Sequence, residues 1–213
     1  MAARIDSLSE RDGGPPTWAT SVDVWVMLRP RAAYEWLAAS PSRAGKWIVL
    51  RRPLALAFLL ACMMSLVASQ RLTLRHIAGG TVSALFLLLA QVGVLWLVCG
   101  RRRTIPFART VDLFFASYGP WVLWVLAFSY LWAFLPMRDA LKYFWTGSIT
   151  VTGGTVVAWS LYLDCRFFRG VFHRSRAGAA WDVARLWTLS WCVCLVIFGW
   201  SALPAEVARI LAR

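Results

Sequence analysis

The sequence predicts an all-α polytopic membrane protein, a bundle of five transmembrane helices with an N-terminal amphipathic surface helix. Three observations carry that expectation. Hydrophobic residues make up 60% of the 213 residues and charged ones only 15%, with a mean hydropathy of +0.60, whereas soluble domains hold about a quarter charged residues. Several apolar tracts reach the roughly 20 residues that cross a bilayer as a helix. Arginine clusters border those tracts, as in 101-RRRTIPFARTVDLFFASYGPWVLWVLAFSYLWAFL-135, and positive charge beside an apolar run sets the orientation of membrane helices.

The elements follow in chain order. Residues 1–20, with the run GGPPT, read as a disordered cytoplasmic tail. No apolar stretch follows the first charges, so no cleavable signal peptide is expected. Residues 21–52 read as a cytoplasmic membrane-surface segment. Pro30 opens a helix that places Tyr34, Trp36 and Leu37 partly on one side, and Ser40-Pro41 offers a cap and a first-turn proline for a second. Interspersed Arg and Lys suit a helix lying on the membrane rather than crossing it. The transmembrane domain covers 53–203, with crossings over Pro53–Gln70, Ala78–Cys99, Val111–Leu135, Phe144–Leu163 and Val183–Leu203; 204–213 is a short C-terminal tail. The third tract, about 37 Å long as a helix, must tilt or bend. Gly119 and Pro120 inside it supply a kink, because proline removes a backbone hydrogen bond. The connection 71-RLTLRHI-77 is short enough to make the first two crossings a hairpin.

Orientation follows from the basic residues. With the N-terminus in the cytoplasm, 17 of the 23 Lys and Arg fall on the cytoplasmic side and 6 on the other, the asymmetry that holds loops inside the cell. The C-terminus then lies on the opposite side. Trp96, Trp159, Trp181 and Trp187 fall near the cytoplasmic boundary and Trp132, Trp145 and Trp200 near the other, as an aromatic belt does. Trp121, Trp124 and Trp191 lie deeper, where they pack helices or stack on a ligand.

The fourth tract differs in kind. In 144-FWTGSITVTGGTVVAWSLYL-163, half the residues are Gly, Ala, Ser or Thr, which lets helix backbones approach closely. Gly153, Gly154 and Ala158 are its candidate packing residues. The pattern predicts either the most buried helix of the bundle or a dimer interface.

The chemistry expected is sparse. No ionisable group falls near the middle of a tract, where a membrane enzyme or pump would place one. Gln91 is the strongest polar group inside a tract, read as an interhelical hydrogen bond or a substrate contact. His76 and His173 read as loop residues without metal-spaced partners, and GxSxG, HExxH and P-loop patterns are missing from the sequence. Five cysteines without CxxC point to neither a disulfide framework nor a zinc site; Cys99 and Cys165, at membrane edges, are candidates for acylation. No catalytic residue, metal or cofactor is expected. A net charge of +13 would in a soluble protein point to nucleic acid, but these arginines sit at tract ends, facing lipid phosphates, so no nucleic-acid partner is expected. Arg101, Arg102, Arg103, Arg166, Arg169, Arg174 and Arg176 are expected to share one basic surface that contacts anionic headgroups or an acidic partner, the alternative being orientation alone. Asp112, three residues from Arg109, and Asp164, beside Arg166 and Arg169, read as local charge balance or as part of that surface.

Two passages, 29-RPRAAYEWLAASPSRAGKW-47 and 159-WSLYLDCRFFRGVFHRSRAGAAWDVARLW-187, resemble the segment before the first helix and the fourth-to-fifth helix connection of the Yip family of multi-pass membrane proteins. The prokaryotic branch is the closer comparison, since the Tyr-Gly-Pro motif of eukaryotic members precedes their first helix, whereas Tyr118-Gly119-Pro120 lies inside the third tract here. The resemblance implies a non-enzymatic protein of the bacterial inner membrane that organises partners or lipids. The function expected is therefore an adaptor, scaffold or accessory subunit of a membrane complex, with a complex partner or a second copy beside it. A small transporter or lipid-translocating protein, using Gln91 and the Gly-rich fourth helix, is the alternative.

Overall fold

The computed structural model describes residues 22–39, 48–100, 105–134 and 139–211. The Ser40-Pro41 helix and the basic triplet Arg101, Arg102 and Arg103 lie outside the described residues. Among those described, the regular elements are α1 (Val22–Leu28), α2 (Pro30–Ala39), α3 (Ile48–Ser69), α4 (Leu74–Cys99), α5 (Phe107–Phe115), a 3₁₀ turn (Ala116–Tyr118), α6 (Gly119–Phe134), α7 (Asp139–Phe172) and α8 (Arg176–Leu211).

Among the described residues, four stretches are long and apolar enough to cross a membrane: Leu50–Ser69, Leu74–Cys99, Phe107–Leu131 and Arg176–Val196. Large apolar side chains such as Phe58, Phe86, Leu123 and Leu195 point outward from them, a surface that suits lipid rather than water. α7, 34 residues long and therefore about 51 Å, is long enough as well, but the Gly, Ser and Thr of its middle leave it less apolar.

Helix ends depart from the apolar boundaries because backbone hydrogen bonding continues past the point where side chains turn polar. Thus α3 starts at Ile48, ahead of Pro53, and α8 runs from Arg176 to Leu211, beyond the expected end at Leu203. α7 extends to Phe172, which puts Asp164 inside a helix rather than at its end.

The α3–α4 hairpin turns on Ser65. Its buried hydroxyl donates to the Arg71 carbonyl at 2.8 Å and accepts the Thr73 N–H at 3.0 Å, satisfying backbone groups that lipid could not. A Cβ on Gly80 would stand 3.1 Å from that of Ala61, so the two helices approach closely. The kink expected at Gly119-Pro120 takes the form of the 3₁₀ turn between α5 and α6. A side chain at Gly119 would collide with Met27 of α1. Ser175 starts α8, its hydroxyl accepting the Gly178 N–H at 3.1 Å, as N-cap serines do.

The core gathers Trp25 of α1, Tyr34 of α2, Leu95 of α4, Phe114 of α5 and Phe167 and Phe168 of α7; α2 packs on α7, and α1 on the 3₁₀ turn and α6. Tyr34 stands edge-on to Phe167 with centroids 5.7 Å apart. α2 therefore turns its apolar face, Ala33, Tyr34 and Leu37, into the protein; sequence periodicity places those residues on one face but leaves open whether lipid or protein covers it. The fourth-tract helix is not the most buried one. Val151, Thr152, Gly154, Thr155, Ala158 and Trp159 face outward, and burial of α7 concentrates at Leu163, Phe167, Phe168 and Val171.

Candidate functional site

Two polar assemblies stand out in this apolar bundle. The first joins three helices. Arg52 of α3 reaches Asp112 of α5 at 2.8 Å and Asp23 of α1 at 2.9 Å, and it also donates to the Asp112 carbonyl. Asp112 therefore pairs across the fold rather than with Arg109 on its own helix. Arg109 instead donates to the Leu37 carbonyl at 3.0 Å, capping an end of α2 that would otherwise be an orphan acceptor. This assembly fastens the N-terminal helices to the bundle.

The second surrounds Asp164. Ser160 and Asp164 are one helical turn apart on α7 and share its inner face with Leu163 and Phe167. The Asp164 side chain pairs with neither Arg166 nor Arg169 beside it. It is buried, and its Oδ2 accepts the Trp187 indole N–H of α8 at 2.9 Å. Its Oδ1 lies 3.2 Å from the Ser117 hydroxyl. That hydroxyl is also 2.7 Å from the Phe114 carbonyl, and its single proton can serve only one of the two at a time. No basic side chain among the described residues pairs with Asp164.

These groups line a cavity of about 310 Å³ between α3, α4, α5, α6, α7, α8 and the 3₁₀ turn. Leu56, Leu60 and Leu88 form its aliphatic wall and Phe114, Tyr118, Trp121, Trp187 and Trp191 its aromatic one. Gln91 of α4 accepts the Tyr118 hydroxyl at its Oε1 and faces the same cavity. The Ser160 hydroxyl, also on the lining, is buried without a hydrogen-bond partner among the described residues. Such a group costs about 1–3 kcal/mol unless something meets it. Trp191 lines the cavity yet is 62% exposed, so the space reaches the outer surface of the bundle at α8.

The remaining candidates fall as follows. Gly153 lies against Trp124, whose indole N–H donates to Thr152 at 3.0 Å, so this part of α7 packs on α6. A Cβ on Gly154 would meet nothing within 4 Å, and Ala158 is exposed. Arg166 stacks over the Tyr162 ring at 5.0 Å. Arg174 pairs with buried Asp182 at 2.9 Å, bracing the α7–α8 turn, where His173 takes a φ of 52°. Arg169 is half-buried and Arg176 exposed. His76 belongs to the first turn of α4, its Nδ1 2.8 Å from the Thr73 hydroxyl. Cys99 is buried, which removes it as an acylation candidate, whereas Cys165 is half-buried. Tyr34 is wholly buried and its hydroxyl makes no well-formed hydrogen bond among the described residues; burial, and then the charge of Asp164, push its ionisation well above the ordinary phenol range.

Sequence reasoning missed Asp164, Ser160, Ser117 and Trp187 as a group. The available signal was the Ser160/Asp164 spacing on the inner stripe of α7, hidden by an apolar tract that ended one residue too early. Trp187 was assigned to the membrane boundary because its hydropathy context says nothing about where the indole N–H points. Comparison of the chain with family models, curated proteins and solved structures matches it to none of them.

Proposed function

We propose that the protein is a five-crossing integral membrane protein that binds a small solute in the cavity around Asp164 and carries it within or across the bilayer. One observation carries this reading: a buried acid, held by neutral donors and facing a cavity on which the buried Ser160 hydroxyl has no hydrogen-bond partner among the described residues. An ionisable group inside a membrane bundle marks a solute path more often than a structural strut. The adaptor reading drew on a core without charge, and Asp164 removes that premise. Ser117 and Trp187 hold the carboxylate without offering a base to relay a proton, which favours binding over catalysis.

In this proposal α7 is the fourth of five crossings and the N-terminus lies in the cytoplasm of a bacterial cell, the topology that the Yip-family resemblance implies. Arg166, Arg169 and Arg176, with the triplet Arg101, Arg102 and Arg103, then meet anionic headgroups at the cytoplasmic face. Labelling of a cysteine placed within 101–109 from outside intact cells would overturn that orientation. The adaptor or accessory-subunit reading keeps one supporting observation, the outward small-residue face at Gly154 and Ala158, which offers a docking stripe to another helix.

Purification in mild detergent followed by reconstitution separates the two. A protein that comes away alone and moves solute in liposomes, with movement lost in Ser160→Trp, is the outcome expected. A stable stoichiometric partner, with liposomes no leakier than empty ones, would replace the carrier by the adaptor.

A further inference from the structure

We infer that the solute is an amphipathic organic cation, an amine on an apolar or aromatic body, whose ammonium docks between Asp164 and Ser160. The inference rests on the carrier reading and names the chemistry of its site.

The anionic end is incomplete in the structure. An ionised carboxylate offers about four acceptor sites. Asp164 has one full donor, Trp187, and shares the Ser117 proton with the Phe114 carbonyl. No guanidinium or ammonium among the described residues neutralises it. One turn away on the same face, the Ser160 hydroxyl has no partner among the described residues. A primary ammonium carries three donors and no acceptor, which suits two oxygen-bearing side chains four residues apart on one helix. An anionic solute would meet a second negative charge in a low-dielectric space, and a neutral alcohol would leave the carboxylate uncompensated.

The rest of the cavity selects the body. Its lining is overwhelmingly aliphatic and aromatic and includes Tyr118, Trp187 and Trp191, rings of the kind that attract cations. A volume of about 310 Å³ lies at the lower end of small-ligand sites. The opening at Trp191 lies on a helix long and apolar enough to cross the membrane, so a solute already partitioned into lipid reaches the cavity from the side.

Three probes of one size and three charges test this: phenethylamine, phenethyl alcohol and phenylacetate, titrated calorimetrically into the protein in nanodiscs of zwitterionic lipid, with empty nanodiscs subtracted. A charged hydrogen bond to Asp164 should make the amine bind about tenfold more tightly than the alcohol, with phenylacetate weakest. Asp164→Asn should bring amine and alcohol within about twofold of each other while leaving the alcohol unchanged, and Ser160→Ala should weaken the amine several-fold more than the alcohol. Equal binding of amine and alcohol by the wild type would overturn the cation assignment and leave the carrier reading standing. Failure of all three to bind a folded wild-type protein would overturn both. The wild-type comparison decides the charge preference even where Asp164→Asn does not fold.

Discussion

Replacing Arg52 by methionine isolates the assembly that fastens α1 and α2 to the bundle. The substitution keeps an unbranched stem and removes the guanidinium. Asp112, whose side chain is 17% exposed, then loses both its ion pair and the charge beside its carbonyl. Stranding a fully buried charge costs about 3–5 kcal/mol; partial exposure of Asp112 lowers that to roughly 2–3 kcal/mol. The Asp23 contact adds little, because Asp23 is 47% exposed and such pairs contribute about 0.2–1 kcal/mol. Asp112→Asn keeps the shape and leaves Arg52 its second acid, so about 1–2 kcal/mol is expected. The double variant should cost less than the sum of the two by about 1 kcal/mol or more. The assay is equilibrium unfolding in mild detergent, followed by tryptophan fluorescence. Additivity within about 0.5 kcal/mol would show that the Arg52–Asp112 pair contributes nothing and that another contact holds the N-terminal helices.

Other substitutions probe packing. A Cβ on Gly170 would stand 2.8 Å from that of Tyr34, so Gly170→Ala should destabilise by about 1–3 kcal/mol and expose the α1–α2 segment to limited proteolysis; unchanged protease resistance would refute the docking of α2. Tyr34→Phe removes a buried hydroxyl that makes no well-formed hydrogen bond among the described residues, and its midpoint in the same unfolding assay should equal or exceed the wild type, since the lost group cost desolvation and returned little in hydrogen bonding. Gly154→Leu extends into open space and should change monomer stability by less than about 0.5 kcal/mol. A drop in oligomer mass by light scattering in that variant would instead assign the stripe to a dimer interface. Replacing Arg101, Arg102 and Arg103 together by lysine keeps their charge and removes the planar fork that grips phosphate; reduced retention of anionic lipid, measured by mass spectrometry of the purified protein, is expected, and unchanged retention would leave these arginines as orientation signals alone.

Much of the architecture was legible in the residues because a bilayer imposes a one-dimensional rule. A helix must be apolar for roughly 20 residues to cross, and that length can be counted along the chain, so α3, α4, the α5–α6 pair and α8 were readable, together with the break at Gly119-Pro120. Gln91 was readable as an interhelical group because a lone amide in an apolar run needs a partner wherever it lies. Which way a side chain points around its helix is a different kind of fact. Hydropathy is blind to it when lipid and protein interior are equally apolar, so the small residues of α7 read equally as a buried face or as a dimer interface, and it is the fold that turns Gly154 and Ala158 outward. Asp112 and Asp164 looked alike in sequence, each an acid near arginines at a tract end. Tertiary structure separated them. The helices deliver Arg52 to Asp112 and deliver Ser117 and Trp187 to Asp164, leaving one acid paired and the other facing a cavity. The partners of an acid depend on residues 47 and 23 positions away for Asp164 and 60 for Asp112, distances over which only the packing of the bundle decides who meets whom.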